Sequence, residues 1–286
     1  MPYFEQGNLR LYYEDVGKGE PIITNHGVLE NCSYWNDTGV TARLAERYRV
    51  ISTDMRGHGN TQVSGRPFGY DVATMANDFG RLADFLSLDK FHILTHATGG
   101  MAGVRYAMTT SDRLISLMLT DTGSATVPEI PGVEPEAQQG GLNDWAEGVR
   151  TATPEQRIAQ SRLEPGPFLF KMAEHPDNAG MWQIVDGFAH TGDPAAQAEF
   201  LLSFYSDPDP MVYGLRQISC PTLVLLGEFD VVFIRPSEIM AEEIPDVRHV
   251  VMKGLGHMTA IEDPDATIRE ILDFLDTVAE TGRANR

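Results

Sequence analysis

Apolar positions along this 286-residue chain switch between two periods, and the switching predicts strands interleaved with helices. Leu9–Glu14 has strand composition, Gly17-Lys-Gly19 makes a turn, and Pro21–Asn25 is a short apolar strand ending at His26-Gly27. Thr41–Tyr48 reads as helix, Arg49–Asp54 as strand and Arg56-Gly-His-Gly59 as a glycine-rich turn. Val72, Met75, Phe79, Leu82 and Phe85 then fall at helical spacing across Tyr70–Leu86. Strand His92–Thr95, a helix after Gly99 and strand Leu114–Thr120 complete a βαβαβ run, which requires a parallel sheet with helices on both faces.

From about Ser124 the pattern changes. Pro128, Pro131, Gly132, Pro135, Gly140 and Gly141 predict a loop, and the stretch onward to about Tyr213 is helical or irregular, without an apolar strand. Strands resume at Thr222–Leu226 and Arg248–Met252, and an amphipathic helix follows at Pro264–Val278. The expected fold class is α/β: a doubly wound, mostly parallel sheet formed by residues 1–123 and 215–286, with a mainly helical lid inserted at 124–214.

Charge narrows the function classes. The 41 Asp and Glu against 22 Lys and Arg give a formal charge of -19, which repels phosphate backbones and anionic lipid, so neither nucleic acid nor membrane is expected as a partner. No run approaches the roughly 18 apolar residues of a membrane helix, and Met1–Gly7 lacks the basic start and apolar run of a secretion signal. A soluble, cytoplasmic protein is expected. Cys32 and Cys220 stand far apart and outside any metal-ligand spacing, which predicts two buried free thiols and no metal.

Residues 91 to 100, Phe-His-Ile-Leu-Thr-His-Ala-Thr-Gly-Gly, have the layout of a strand entering a sharp turn and a helix, where a nucleophilic serine would be mounted. Ala97 stands at the nucleophile position, and a methyl group cannot attack a carbonyl. Alone, this string also suits a plain packing turn. Three more segments in the right order add weight. Asn25-His26-Gly27-Val28 can offer the Val28 N–H to a developing oxyanion, with the Thr98 N–H as second donor. Gly227-Glu-Phe-Asp230 places a carboxylate at the end of a late strand, and Gly254-Leu-Gly-His257 places an imidazole after the last one. Nucleophile position, acid and base follow one known chain order of the serine triad. Asp121, ending the strand after the elbow, is a lesser candidate for the carboxylate.

In these segments, together with Trp35 and Asp54-Met-Arg-Gly-His-Gly59, the chain resembles the α/β-hydrolase fold family over almost its whole length, and in particular its lid-bearing esterases, lactonases and carbon–carbon hydrolases. The resemblance implies His257 as general base, Asp230 as the carboxylate that orients it, and Val28 and Thr98 as the oxyanion hole. It implies a small apolar ester or lactone as substrate and no cofactor. Candidate substrate-binding residues are His26 and, from the lid, Trp145, Phe168, Met181 and Trp182. His26 and His58 also read as turn-holding residues, His96 as a group packed beneath the elbow, and the lid aromatics as lid core. The chain departs from the family pattern at Thr95, where a glycine is usual, and at Ala97. The expected function is therefore carboxylic ester or lactone hydrolysis by a Ser-His-Asp triad, with Ala97 an engineered replacement of the serine that holds intact substrate; the alternatives are natural base chemistry by His257 and Asp230 alone, in elimination, cyclisation or cofactor-free oxygenation, and a ligand receptor.

Overall fold

The computed structural model describes residues 3–124, 132–205 and 212–285. Strands β1 (Tyr3–Gln6), β2 (Leu9–Gly17) and β3 (Pro21–Asn25) open the chain. Short helices α1 (Ser33–Asn36) and α2 (Val40–Leu44) lead to β4 (Arg49–Thr53), β5 (Gln62–Val63), α3 (Val72–Phe85), β6 (Phe91–His96), α4 (Ala97–Thr110) and β7 (Leu114–Thr120). The described residues between β7 and β8 form helices α5 (Pro135–Thr151), α6 (Pro154–Leu163), α7 (Gly166–Glu174), α8 (Ala179–Ala189) and α9 (Pro194–Phe204). Then come β8 (Thr222–Gly227), α10 (Ile234–Glu243), β9 (Val247–Met252), α11 (Thr259–Glu262) and α12 (Pro264–Thr281).

The strands lie in the order β1-β2-β4-β3-β6-β7-β8-β9, with β5 against β2. Pairings of β2 with β1, β4 and β5 are antiparallel, and every step from β4 to β9 is parallel. Period-two alternation explains why the sheet is covered on both sides. Ile23, Ile51, Ile93, Leu117, Leu119, Val224 and Leu226 join one core with α3 and α4. Their chain neighbours Ile22, Val50, Leu94, Met118, Leu223 and Leu225 join the other with α2 and α12. The chain reverses its direction of growth across the sheet between β3 and β6, so the loops after these adjacent strands flank the crevice where such folds bind ligands.

Several expectations shift by a few residues for identifiable reasons. The helix expected over Thr41–Tyr48 stops at Leu44, because the next residues press on β2: a Cβ at Gly17 would lie 2.2 Å from the Tyr48 carbonyl oxygen. Phe85 ends α3 with 53% of its surface exposed, tilted against Phe4 rather than buried like Phe79. Gly140 and Gly141, expected in a loop, lie inside α5. Leu142, Ala146 and Val149 give that helix a face packed on Ala198 and Leu201 of α9, which outweighs a cost of about 1 kcal/mol per glycine. Pro128 and Pro131 of the same expected loop lie outside the described residues. Both cysteines are free and buried, as expected.

Buried histidines make stability depend on pH. His58 bonds the Arg56 carbonyl and His92 the Ser116 hydroxyl, and burial pushes each ring down to about 4. Because unfolded histidines titrate near 6.5, the unfolded chain takes up protons first as the pH falls, and stability declines from about pH 6.5 towards pH 4 by roughly 3 kcal/mol per residue. Urea titrations at pH 7 and pH 4.5 should show this loss, and His92→Gln should flatten the slope.

Candidate active site

β6 runs directly into α4 through a sharp elbow at Ala97. Every residue of β6 is buried, and Ala97 adopts a φ of 45°, in the left-handed region that disfavours residues with a Cβ. Close approach of α4 imposes this conformation. A Cβ at Gly99 would fall 2.6 Å from both Asn25 Oδ1 and the His26 carbonyl oxygen, and one at Gly100 would fall 2.5 Å from the Thr122 side chain. The Gly99 N–H donates to the His26 carbonyl at 3.1 Å, and the Thr122 hydroxyl donates to the Ala97 carbonyl at 2.6 Å. Both neighbouring strand ends therefore hold the turn.

His257 and Asp230 meet beside it. Their Nδ1 and Oδ2 atoms are 2.8 Å apart, and both side chains are buried. With Nδ1 facing a carboxylate, its proton points at Asp230 and Nε2 carries the free lone pair. The loop bearing His257 is pinned on both sides of that residue: Glu262 accepts the Gly256 N–H at 2.8 Å and the Met258 N–H at 3.1 Å. Burial raises the Glu262 carboxyl and these two bonds oppose the rise. Gly227 is required because a Cβ there would lie 1.8 Å from the Gly256 carbonyl oxygen. The His257 ring contacts Phe168 at 4.7 Å, His96 at 4.8 Å and Phe233 at 5.5 Å. Asp121, the lesser carboxylate candidate, instead accepts the Gly227 N–H at 3.0 Å and the Thr259 hydroxyl at 2.5 Å.

Across the crevice lies the turn Gly27–Glu30, where Leu29 has a φ of 60°. Thr98 sits in the first turn of α4, whose N–H groups have no acceptor within the helix. Its hydroxyl is 2.6 Å from that of Tyr205, the residue following α9. Beneath the elbow, His96 stacks on Tyr34 at 4.1 Å, with Nδ1 3.1 Å from the Tyr34 hydroxyl and 3.3 Å from that of Thr120. Burial opposes a charge on His96, but Glu30 and Asp121, 3.5 and 3.7 Å from its nitrogens, outweigh burial and push the ring up to about 9.

A family model described as the alpha/beta hydrolase fold matches residues 20–264. The chain belongs to that family. It is 34% identical over 292 residues to a protein of Azorhizobium caulinodans with the provisional name carbamate hydrolase RutD, covering 96% of this chain and 98% of that one. A non-heme haloperoxidase of Rhodococcus erythropolis is 28% identical over 97% of this chain and 100% of its own length. Among solved structures, a thermophilic esterase from Thermogutta terrifontis superposes with a TM-score of 0.76 at 29% identity, covering 94% of each chain. Among the described residues, no helix is long and apolar enough to cross a membrane.

In this α/β-hydrolase the sequence candidates divide. Elbow, His257 and Asp230 converge, and Phe168 reaches the His257 ring from α7. For His26 the geometry fits the turn-holding reading rather than the substrate-binding one: its Nε2 accepts the Met55 N–H at 3.0 Å, so Nδ1 carries the proton and donates to the Gly27 carbonyl at 2.7 Å. With both nitrogens occupied and the ring fully buried, it holds the turn and has no atom left for a substrate. Trp182 is buried in the core shared with Met258 and Ile261, its ring under Arg162. Met181 borders a cavity with Thr38, Ile184 and Pro264, and Trp145 on α5 is 37% exposed. Tyr205, Glu30 and Glu262 escaped the sequence reading because each acts from outside the recognised motifs, through side-chain contacts alone.

The strain at the elbow is measurable. A glycine tolerates positive φ, so Ala97→Gly should leave stability unchanged or raise it by up to about 1 kcal/mol, where the same change inside an ordinary helix loses about that much. Urea denaturation of the two proteins distinguishes these outcomes.

Proposed function

We propose that the chain hydrolyses a small, mainly apolar carbonyl compound of the ester, lactone or carbamate class, with His257 as general base, Asp230 as its orienting carboxylate and helices α5–α9 as a cap over the site. The observation that carries this reading is the 2.8 Å His257–Asp230 bond beside an elbow whose position 97 bears only a methyl group. Compared with serine, alanine leaves out one oxygen, and a water occupying that place meets the free Nε2 of His257. His257 takes a proton from this water as its oxygen bonds to the carbonyl carbon. The carbonyl oxygen becomes an oxyanion received by the Val28 and Thr98 N–H groups. Asp230 stabilises the imidazolium, which returns its proton to the leaving alcohol or amine as the carbon–heteroatom bond breaks. An ester then yields acid and alcohol, a carbamate ester yields either the alcohol and a carbamic acid or the amine and a carbonic half-ester, and no acyl-enzyme forms. Phe168 and Phe233 against the base suit an apolar substrate, and relatives named as a carbamate hydrolase and an esterase act in the same reaction class.

The elbow itself favours a second reading. Ala97 keeps the positive φ that a mounted nucleophile uses, so with serine at position 97 the same groups form a Ser-His-Asp triad for ester or lactone hydrolysis, and the alanine chain is its inactivated form.

A panel of p-nitrophenyl esters, lactones and small carbamates, given to this chain, to Ala97→Ser and to His257→Ala, separates the two. The base reading expects turnover by the chain itself, reduced about 10²- to 10⁴-fold in His257→Ala. Silence in the chain with a gain of several orders of magnitude in Ala97→Ser establishes the triad reading, since losing a triad nucleophile costs about 10⁶ in kcat. Silence in both overturns both.

A further inference from the structure

Glu30 is a carboxylate only 7% exposed, and the chemistry above gives it no task. Its two oxygens serve two different elements. Oε2 accepts the Gly27 N–H at 2.6 Å, and Oε1 lies 3.5 Å from Nε2 of His96, at ion-pair distance. Gly27 immediately precedes Val28, and His96 immediately precedes the elbow that carries Thr98. One side chain thus links the loop bearing one N–H donor to the strand end bearing the other.

Neighbouring residues are adapted to this link. A Cβ at Gly27 would come within 2.9 Å of the carboxylate, so only glycine allows the approach. Leu29, at a φ of 60°, sits where a leucine has no intrinsic preference to stay, and a turn of that kind persists only when its surroundings hold it. The anchor is fixed as well: His96 is clamped between the Tyr34 ring and hydroxyl, the Thr120 hydroxyl and Asp121. We infer that Glu30 is a positioning residue, which uses His96 as its anchor to hold the Gly27–Leu29 turn so that the Val28 N–H converges with the Thr98 N–H on the developing oxyanion. This rests on the oxyanion role proposed for these two N–H groups, and it applies equally to the water-attack and serine routes.

A donor that is displaced rather than removed acts on the transition state and leaves ground-state binding nearly intact. Glu30→Gln keeps an oxygen for the Gly27 N–H and loses the charge facing His96, while Glu30→Ala loses both. In whichever form turns over, the chain or Ala97→Ser, kcat should fall about 10-fold in Glu30→Gln and about 100-fold in Glu30→Ala, with KM within about threefold. Affinity for a methylphosphonate mimic of the tetrahedral intermediate should weaken in step, and affinity for an unreactive amide analogue should not. Thermal unfolding of each variant identifies one that fails to fold, and Glu30→Gln preserves the shape of the site. A kcat within twofold, or a rise in KM alone, overturns the proposal. Should no form turn over, the ratio of phosphonate to amide affinity decides it. The His257→Ala arm is independent: unchanged activity there refutes the reading of the site whatever Glu30 does.

Discussion

The approach of α4 to the ends of β3 and β7 is the constraint on which the site depends. Two consecutive glycines let the helix backbone come within contact of Asn25, His26 and Thr122, distances at which any Cβ would collide. That closeness holds Ala97, two residues before them, in positive φ and places position 97 and Thr98 between the Gly27–Glu30 turn and His257. A relaxed elbow would withdraw the helix N-terminus and its first-turn N–H groups from that space. The strain at Ala97, on the order of 1 to 3 kcal/mol, is held in place by the two well-packed cores on either side of the sheet.

Around that elbow the protein repeats one device: a buried carboxylate fastens a loop by accepting backbone N–H groups. Asp54 accepts from Cys32 and Asn60, Glu30 from Gly27, Asp121 from Gly227, and Glu262 from Gly256 and Met258. Isolated buried charges are costly, and hydrogen bonds to charged acceptors are among the stronger ones, so each loop is held by a contact that is unfavourable to leave unmade. The pattern gives rigidity to irregular backbone at the ends of the strands.

The helices between β7 and β8 contribute differently. One of them, α6, carries no buried residue of its own. Much of their order comes from contacts with the sheet domain: Met172, Trp182 and Phe188 enter the core beneath α12, and Phe200 and Phe204 enter the core above α3. Phe168 of α7 packs on the His257 ring, and Tyr205, after α9, reaches the Thr98 hydroxyl at the elbow. Exposed surface on such a segment is free to vary, whereas these contacts are tied to the chemistry beneath.

The sequence by itself determined the alternation of strands and helices, the sheet covered on both faces and the elbow, because these follow from local rules: side-chain period, glycine where backbones meet, and motif order along the chain; the order of strands across the sheet came from the tertiary structure. Leu114–Thr120 and Pro21–Asn25 were legible to the residue for that reason. It also carried the pairing of His257 with Asp230, since both end parallel strands that are neighbours in the sheet. Only the tertiary structure decided that Phe168 meets the His257 ring, that His26 is consumed by its own turn, and that Glu30 reaches His96 across 66 positions of chain. Those outcomes depend on side-chain directions where irregular loops converge, and neither hydrophobic period nor spacing encodes a direction once regular structure ends.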